Sequence, residues 1–229
     1  MFDVTRICMI YDMEKEEKMY ALKGFDLQLP DRGLIGIIGP SASGKSTLMY
    51  CLSTLKIPTE GSILYNGREL TTCTNAERDD LRRREFGFIF QKHYLVPYMS
   101  AVENVMVAAN EKDKTMRKKA EEILTKLGIR EREFSKKPAK LSGGQCQRVA
   151  IARAVINDPK VIFADEPTAS LDHENAYNVM KILKEYSQER LVLVVTHDKS
   201  ILKDCDRILE MWDGEIRDAS SDIPEKERG

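Results

Sequence analysis

Apolar residues along this chain fall into short runs of two kinds. Residues 2–11 and 25–29 alternate apolar and polar positions, the period of a strand with one covered face. Residues 34–38, 161–164 and 191–196 are continuous apolar runs, as in parallel strands covered on both faces. Residues 86–90 read as another strand. Ile63-Leu64-Tyr65 followed by Asn66-Gly67 reads as a hairpin arm with a type I′ turn. A helix is expected over 45–55. Ser100-Ala101-Val102-Glu103 is a capping box that starts a helix to about Asn110. Residues 115–127 make a second helix, closed by Gly128. Ser142 or Gly143 starts a third, ending before Pro159. Further helices are expected at about 173–188 and 198–204, then a hairpin of 207–212 and 215–217 around Asp213-Gly214. Residues 218–229 are polar and expected to fray. The pattern predicts one α/β domain over 1–229, with a mostly parallel sheet, flanking helices and an antiparallel part. A helical subdomain is expected to be inserted at about 92–158.

Composition narrows the function classes. In 229 residues, 36 Lys and Arg nearly balance 37 Asp and Glu. That balance supplies no field for nucleic acid or an anionic membrane. Arg82-Arg83-Arg84 and the basic stretch 112–119 are interleaved with acids and read as solvated helix faces. The cysteines (8, 51, 73, 146, 205) show no metal-ligand or disulfide spacing, and reduced thiols are expected. No run reaches the ~18 apolar residues of a membrane span, and residues 1–6 lack a secretory pattern. Action at a membrane would require a partner.

The chemistry concentrates at the ends of the apolar runs. Gly39-Pro40-Ser41-Ala42-Ser43-Gly44-Lys45-Ser46, followed by Thr47, lies between an expected strand and an expected helix. Its glycines let backbone N–H groups approach phosphate oxygens, and the helix N-terminus favours an anion. Lys45 suits β- and γ-phosphates, and the Ser46 hydroxyl suits Mg²⁺. Asp165 ends a buried strand, where parallel sheets bind ligands, and suits water-mediated contact with Mg²⁺. Glu166 is placed to accept a proton from an attacking water. His197 follows the run 191–196 and could donate to a γ-phosphate oxygen; His93 and His173 lack such placement. Leu141-Ser142-Gly143-Gly144-Gln145 opens a helix and forms a second anion site. One domain has no evident need for two such sites. Two copies facing each other would.

These motifs together resemble the nucleotide-binding subunit of an ATP-binding-cassette transporter, over roughly residues 2–217. The resemblance rests on Gly39–Thr47, Gln91, Leu141–Gln145, Val161–Glu166, Ser170-Leu171-Asp172 and His197 in the family's order. Met19–Gly24 and Leu95–Val105 are similar to the lipoprotein-release and macrolide-export branch. The resemblance implies a P-loop NTPase core and a homodimer enclosing two ATP molecules with Mg²⁺. Each site would join Lys45 and Glu166 of one chain to Ser142 and Gly144 of the other. Gln91 would contact Mg²⁺, and Asp172 would lie at the dimer seam. Tyr11 matches the position that stacks on adenine, with Tyr20 as its rival. Cys146 and the order Ala169-Ser170-Leu171-Asp172 depart from the usual pattern without removing a catalytic group. The resemblance implies an ATPase at the cytoplasmic face of a membrane, driving an integral permease. It also fits a regulatory cassette that signals through a membrane partner without transport. For docking, the apolar loop 93–99 offers Tyr94, Leu95 and Tyr98 as anchors.

Overall fold

The structure, a computed structural model, describes residues 1–11, 18–169 and 171–218. The chain opens with strands β1 (Phe2–Tyr11), β2 (Met19–Leu29) and β3 (Gly33–Ile38), then helix α1 (Lys45–Leu52). Strands β4 (Glu60–Tyr65) and β5 (Arg68–Glu69), helix α2 (Asn75–Arg84) and strand β6 (Phe86–Ile89) follow. Helices α3 (Ala101–Met106), α4 (Lys114–Lys126) and α5 (Gly143–Val155) come between β6 and β7 (Val161–Asp165). Helix α6 (His173–Tyr186) and strands β8 (Leu191–Thr196), β9 (Arg207–Trp212) and β10 (Glu215–Asp218) complete the described chain.

Two sheets form. One has the order β2-β1-β4-β5 and is antiparallel; the other has the order β10-β9-β3-β8-β7-β6. Within the second, only β10 runs antiparallel to its neighbour. Every residue of β8 is buried, as its unbroken apolar run requires. Side chains of a strand point alternately to opposite faces, and the core divides accordingly. Leu34, Ile162, Val192 and Val194 pack with the helices α3–α6. Ile35, Ile37, Phe163 and Leu193 pack with α1 and the antiparallel sheet. The parallel sheet is therefore the shared middle layer, and its strand ends β3, β7 and β8 emerge side by side.

Several boundaries depart from the sequence pattern. Helix α1 stops at Leu52 rather than 55, because Thr54 takes a left-handed backbone at φ 60°. Helix α3 ends at Met106, short of 110. The helix expected at 198–204 is a 3₁₀ turn over Lys199–Leu202, with Asp198 capping the Ser200 N–H. Strand β2 begins at Met19, six residues before the alternating run 25–29. Helix α2 had no apolar stripe to reveal it. It is held by a Thr74–Glu77 capping box and by Asp80 bridging Arg83 (2.9 Å) and Arg84 (2.7 Å), pairs that support a polar helix. Asn66 (φ 51°) and Gly67 (φ 79°) form the expected turn. The residues 219–229, expected to fray, and Ser170 lie outside the described residues.

Candidate functional site

The phosphate loop is moulded by close backbone contact. A Cβ on Gly39 would lie 2.0 Å from the Met211 carbonyl oxygen, and one on Gly44 would lie 2.3 Å from that of Ala21. Gly44 also has φ 102° and caps α1 with no side-chain hydrogen bond. Ala42 is left-handed as well, at φ 62°. The Ser43 N–H donates to the Pro40 carbonyl (3.3 Å), and the Gly214 N–H donates to the Ser43 carbonyl (3.1 Å). Pro40, Ser41 and the first turn of α1, with Lys45, Ser46 and Thr47, lead on from this turn. The first N–H groups of a helix lack internal partners, and no side chain supplies one here. The buried Ser43 hydroxyl is likewise without a partner. An anion would satisfy both. Lys45, 7% exposed, donates to the carbonyls of Gly39 (2.8 Å) and Pro40 (2.7 Å). Burial pulls its ammonium below the ordinary value, against the opposing pull of Glu166 and Asp165.

Strand β7 brings two carboxylates to the same edge. Asp165 accepts from the Ser46 hydroxyl (3.1 Å) and from the Tyr50 hydroxyl (3.2 Å). Burial pushes the Asp165 carboxyl up, while its two hydroxyl partners oppose the rise. Tyr50 is itself pushed up to about 12, first by burial and then by Asp165. Glu166 occupies the left-handed region at φ 47°, a conformation that costs a non-glycine residue roughly 1 kcal/mol or more and clusters at functional sites. Its N–H donates to the Val195 carbonyl (2.8 Å). Its carboxylate takes a bond from the Thr196 hydroxyl (3.2 Å) and pairs with His197 Nδ1 (2.8 Å). The His197 side chain is 66% exposed, so Glu166 is braced from one side and open beside it.

Tyr11, at the end of β1, reaches α1: its hydroxyl is 3.4 Å from Thr47 Oγ1 and accepts from Lys56 Nζ at 2.9 Å. The same ammonium lies 4.4 Å from its ring centroid. Tyr20 is 46% exposed and borders a different pocket, with Arg6, Lys23 and Glu60. Gln91 is exposed just beyond β6, and no hydrogen bond ties it to Ser46 or Asp165.

The Ser142–Gln145 segment is not brought to the phosphate loop by any hydrogen bond or ion pair. Ser142 caps α5, accepting from the Gln145 N–H (3.2 Å), while the Gln145 side chain accepts from the Ser142 N–H (2.9 Å). Gly143 is exposed and Gly144 is buried at the helix start. Asp172 caps α6 through the Asn175 N–H (2.9 Å) and also holds the Asn175 amide (2.7 Å), which receives Arg148 of α5 at 3.2 Å. Asp172 is thus linked to the helix that Ser142 opens. Tyr50 and Thr196 are site residues that the sequence pattern did not single out. Tyr50 stands four residues after Ser46, on the same helix face, and that spacing was the available signal. Thr196 had no comparable local signal.

No cluster of three or more His, Cys, Asp or Glu side chains that could hold a metal ion occurs among the described residues. The converging oxygens of Ser46 and Asp165 do suit Mg²⁺, which keeps several waters and takes few protein ligands.

A glycine loop between strand and helix, a histidine at the end of the adjacent strand and an acid pair at the end of the next define a P-loop nucleotide-binding cassette. The model of the ABC transporter family matches residues 22–169, more than half of the chain. The chain belongs to the ABC transporter family, as an ATP-binding cassette. The lipoprotein-releasing system ATP-binding protein LolD of Aquifex aeolicus is 43% identical over 199 residues, covering 85% of this chain and 88% of that protein. The macrolide export ATP-binding/permease protein MacB of Mannheimia succiniciproducens is 41% identical over 218 residues. That alignment covers 93% of this chain and 34% of MacB, so the chain spans only that share of the larger protein's length. A solved dimeric structure of the ATP-binding cassette MJ0796 with ADP and Pi superposes with a TM-score of 0.86 and 36% identity, covering 95% of this chain and 97% of that one. Among the described residues no helix is long and apolar enough to cross a membrane.

Proposed function

We propose that two copies of this chain enclose two ATP molecules and hydrolyse them to drive a separate integral membrane permease at the inner face of the cell membrane. The observation that carries this is the bracing of Glu166 by Thr196 and His197 beside the Ser46–Asp165 pair. The phosphate loop, residues 39–47, takes the phosphates on its free N–H groups, and Lys45 exchanges its loop carbonyls for phosphate oxygens. Ser46, Asp165 and Gln91 hold Mg²⁺, whose charge offsets that of the phosphates. Glu166 accepts the proton of the attacking water, and His197 orients it and donates to the γ-phosphate. Tyr11 stacks on adenine. Ser142, Gly143, Gly144 and Gln145 of the partner copy close the site from the other side, with Asp172 at the seam. The whole chain acts as one cassette, with 92–158 as its helical subdomain. The LolD and MacB relatives favour export or extraction of a lipid, lipoprotein, peptide or drug as the work done.

Glu166→Gln tests the assignment. It should keep ATP binding, lower turnover ~10²–10⁴-fold, the usual range for a general base, and trap an ATP dimer on size-exclusion chromatography. Turnover within a few-fold of the unmodified chain would remove Glu166 from that role.

The permease would dock in a cleft of about 750 Å³ lined by Leu55, Phe88, Phe90, Tyr94, Val107 and Arg153. Tyr94 is 65% exposed there, while Leu95 packs against the helical side of the core. The anchors are therefore Tyr94 and its exposed neighbour Tyr98, not Leu95. Tyr94→Glu should leave basal hydrolysis intact and abolish co-purification with the permease; retained binding would place the docking site elsewhere.

A further inference from the structure

The stretch between α4 and α5 holds a buried acid that the nucleotide chemistry does not use. Residues 130–137 read Arg130-Glu131-Arg132-Glu133-Phe134-Ser135-Lys136-Lys137, and of the charged ones only Glu133 is buried, at 6% exposure. A carboxylate taken out of water is costly unless its oxygens are bonded, and here both are. Oε2 accepts from the Arg130 N–H at 3.0 Å, and Oε1 accepts from Gln145 Nε2 at 2.8 Å, with the Lys136 ammonium 3.6 Å away. The segment that carries the acid is anchored on α3. The Ala101 N–H donates to the Lys136 carbonyl (2.9 Å), and the Val102 N–H donates to the Phe134 carbonyl (3.2 Å). Phe134 packs against the helical side of the core.

Gln145 uses both ends of its amide. The oxygen accepts from the Ser142 N–H at 2.9 Å, and the nitrogen donates to Glu133. An amide turned end for end would set its own N–H₂ against the Ser142 N–H. An ionised carboxylate accepts only, so Glu133 selects the orientation that keeps Ser142 tied. The Gln145 N–H in turn holds the Ser142 hydroxyl at 3.2 Å. Ser142 itself is exposed, so its own packing does not fix it.

We propose that Glu133 is a positioning residue for the partner-facing segment. Its carboxylate fixes the Gln145 amide, and through it Ser142, in the geometry that meets nucleotide held by the other copy. The proposal rests on the composite site assigned above. Glu133 touches no nucleotide; it joins a segment anchored on α3 to the opening turn of α5.

A reciprocal exchange tests this. Glu133→Gln leaves one oxygen where two are used, so either the Arg130 N–H or Gln145 loses its acceptor. Gln145→Glu sets a second carboxylate against the first. Glu133→Gln combined with Gln145→Glu restores each bond with donor and acceptor reversed: position 133 donates and position 145 accepts, while still taking the Ser142 N–H. In the Glu166→Gln background, ATP should drive dimers that size-exclusion chromatography counts. Adding Glu133→Gln there should raise the ATP concentration at half-dimerisation about tenfold, as expected for loss of one hydrogen bond to a charged group. The exchanged pair should return it to within about twofold of the parent. ATP affinity of the undimerised chain reads the phosphate-loop half alone and should not move, whereas a general loosening of the fold would weaken it. With Glu166 intact, kcat should fall in Glu133→Gln and recover in the exchanged pair. A Glu133→Gln protein that dimerises like its parent overturns the proposal, as does an exchanged pair no better than the weaker single change. If Glu166→Gln forms no ATP dimer and Ser142→Arg stays active, the composite site itself falls, and this role with it.

Discussion

The phosphate-loop region and the Ser142–Gln145 region both end in a helix start lined by glycine, yet they are built differently. Around the loop, groups from three distant stretches of chain meet: Lys45 lies over its own loop, Ser46 and Tyr50 grip Asp165, and His197 and Thr196 brace Glu166. At the second region the cap is closed on itself. Ser142 and Gln145 exchange hydrogen bonds, and Ser142 and Gly143 are exposed. The first region carries a left-handed Glu166 and desolvated charge, features that cluster at functional sites. The second is a capped surface with no left-handed residue, as would suit presentation to another molecule. On the proposed reading, one half of the site is complete within a single chain and a second copy would supply the other half.

The sharpest way to break this comparison is to damage one half at a time. Lys45→Ala and Ser142→Arg should each inactivate the pure dimer, by at least the ~10²-fold cost of losing one charge-stabilising donor. Mixing the two proteins should restore activity, because one composite site in the mixed dimer carries neither change. Ser142→Arg also loses its cap, worth about 1 kcal/mol, so a thermal melt must show that the protein remains folded. An active pure Ser142→Arg dimer would mean that the second region faces no nucleotide.

A smaller effect separates the rim of the loop region from its centre. Tyr11→Ala should raise the Kd for ATP by the equivalent of ~1–3 kcal/mol, the value of base–aromatic stacking, while Tyr11→Trp is tolerated. Equilibrium binding measures this. The same loss in Tyr20→Ala, without loss in Tyr11→Ala, would move the adenine to the other side of β2.

The smallest effect concerns how the loop-bearing strand is held. Asp206 accepts from the Leu34 N–H (2.7 Å) at the start of β3 and from Lys184 (2.6 Å). Burial raises its carboxyl, but Lys184 and the Leu34 N–H outweigh burial and leave its pKa below the ordinary 3.8. The unfolded chain then takes up the proton first as pH falls. The stabilisation is present above the ordinary value and is lost as pH drops through the lowered one. Asp206→Asn should lower Tm at neutral pH by a few degrees, the shift expected of about 1 kcal/mol in a chain of this size. It should also flatten the acid limb of a plot of Tm against pH. An unchanged acid limb would show that the clamp contributes nothing.

Much of the architecture was legible because its signals are local. The unbroken run at 191–196 marked a strand buried on both faces, the capping box at Ser100 marked one helix start, and another was expected at Ser142 or Gly143. Helix α2 was read only as a solvated helix face at Arg82-Arg83-Arg84, and its start was missed because its stability comes from capping and charge pairs on a polar surface, which leave no apolar period. Helix α1 was drawn too long because nothing in Ser53-Thr54-Leu55 announces a left-handed Thr54. Leu95 was expected among the docking anchors, but it is half-buried against the helical core, a property of neighbours far along the chain.

The sequence by itself determined the phosphate loop. Glycine spacing, the strand before it and the helix after it lie within some twenty residues, and backbone sterics over that span leave little choice. Tertiary structure alone decided which side chains meet. Ser46 reaches Asp165 across 119 residues and His197 reaches Glu166 across 31. Those meetings exist because β3, β8 and β7 are consecutive neighbours in one parallel sheet and release their ends at one edge. Strand order follows from the packing of whole layers, which no window of residues contains.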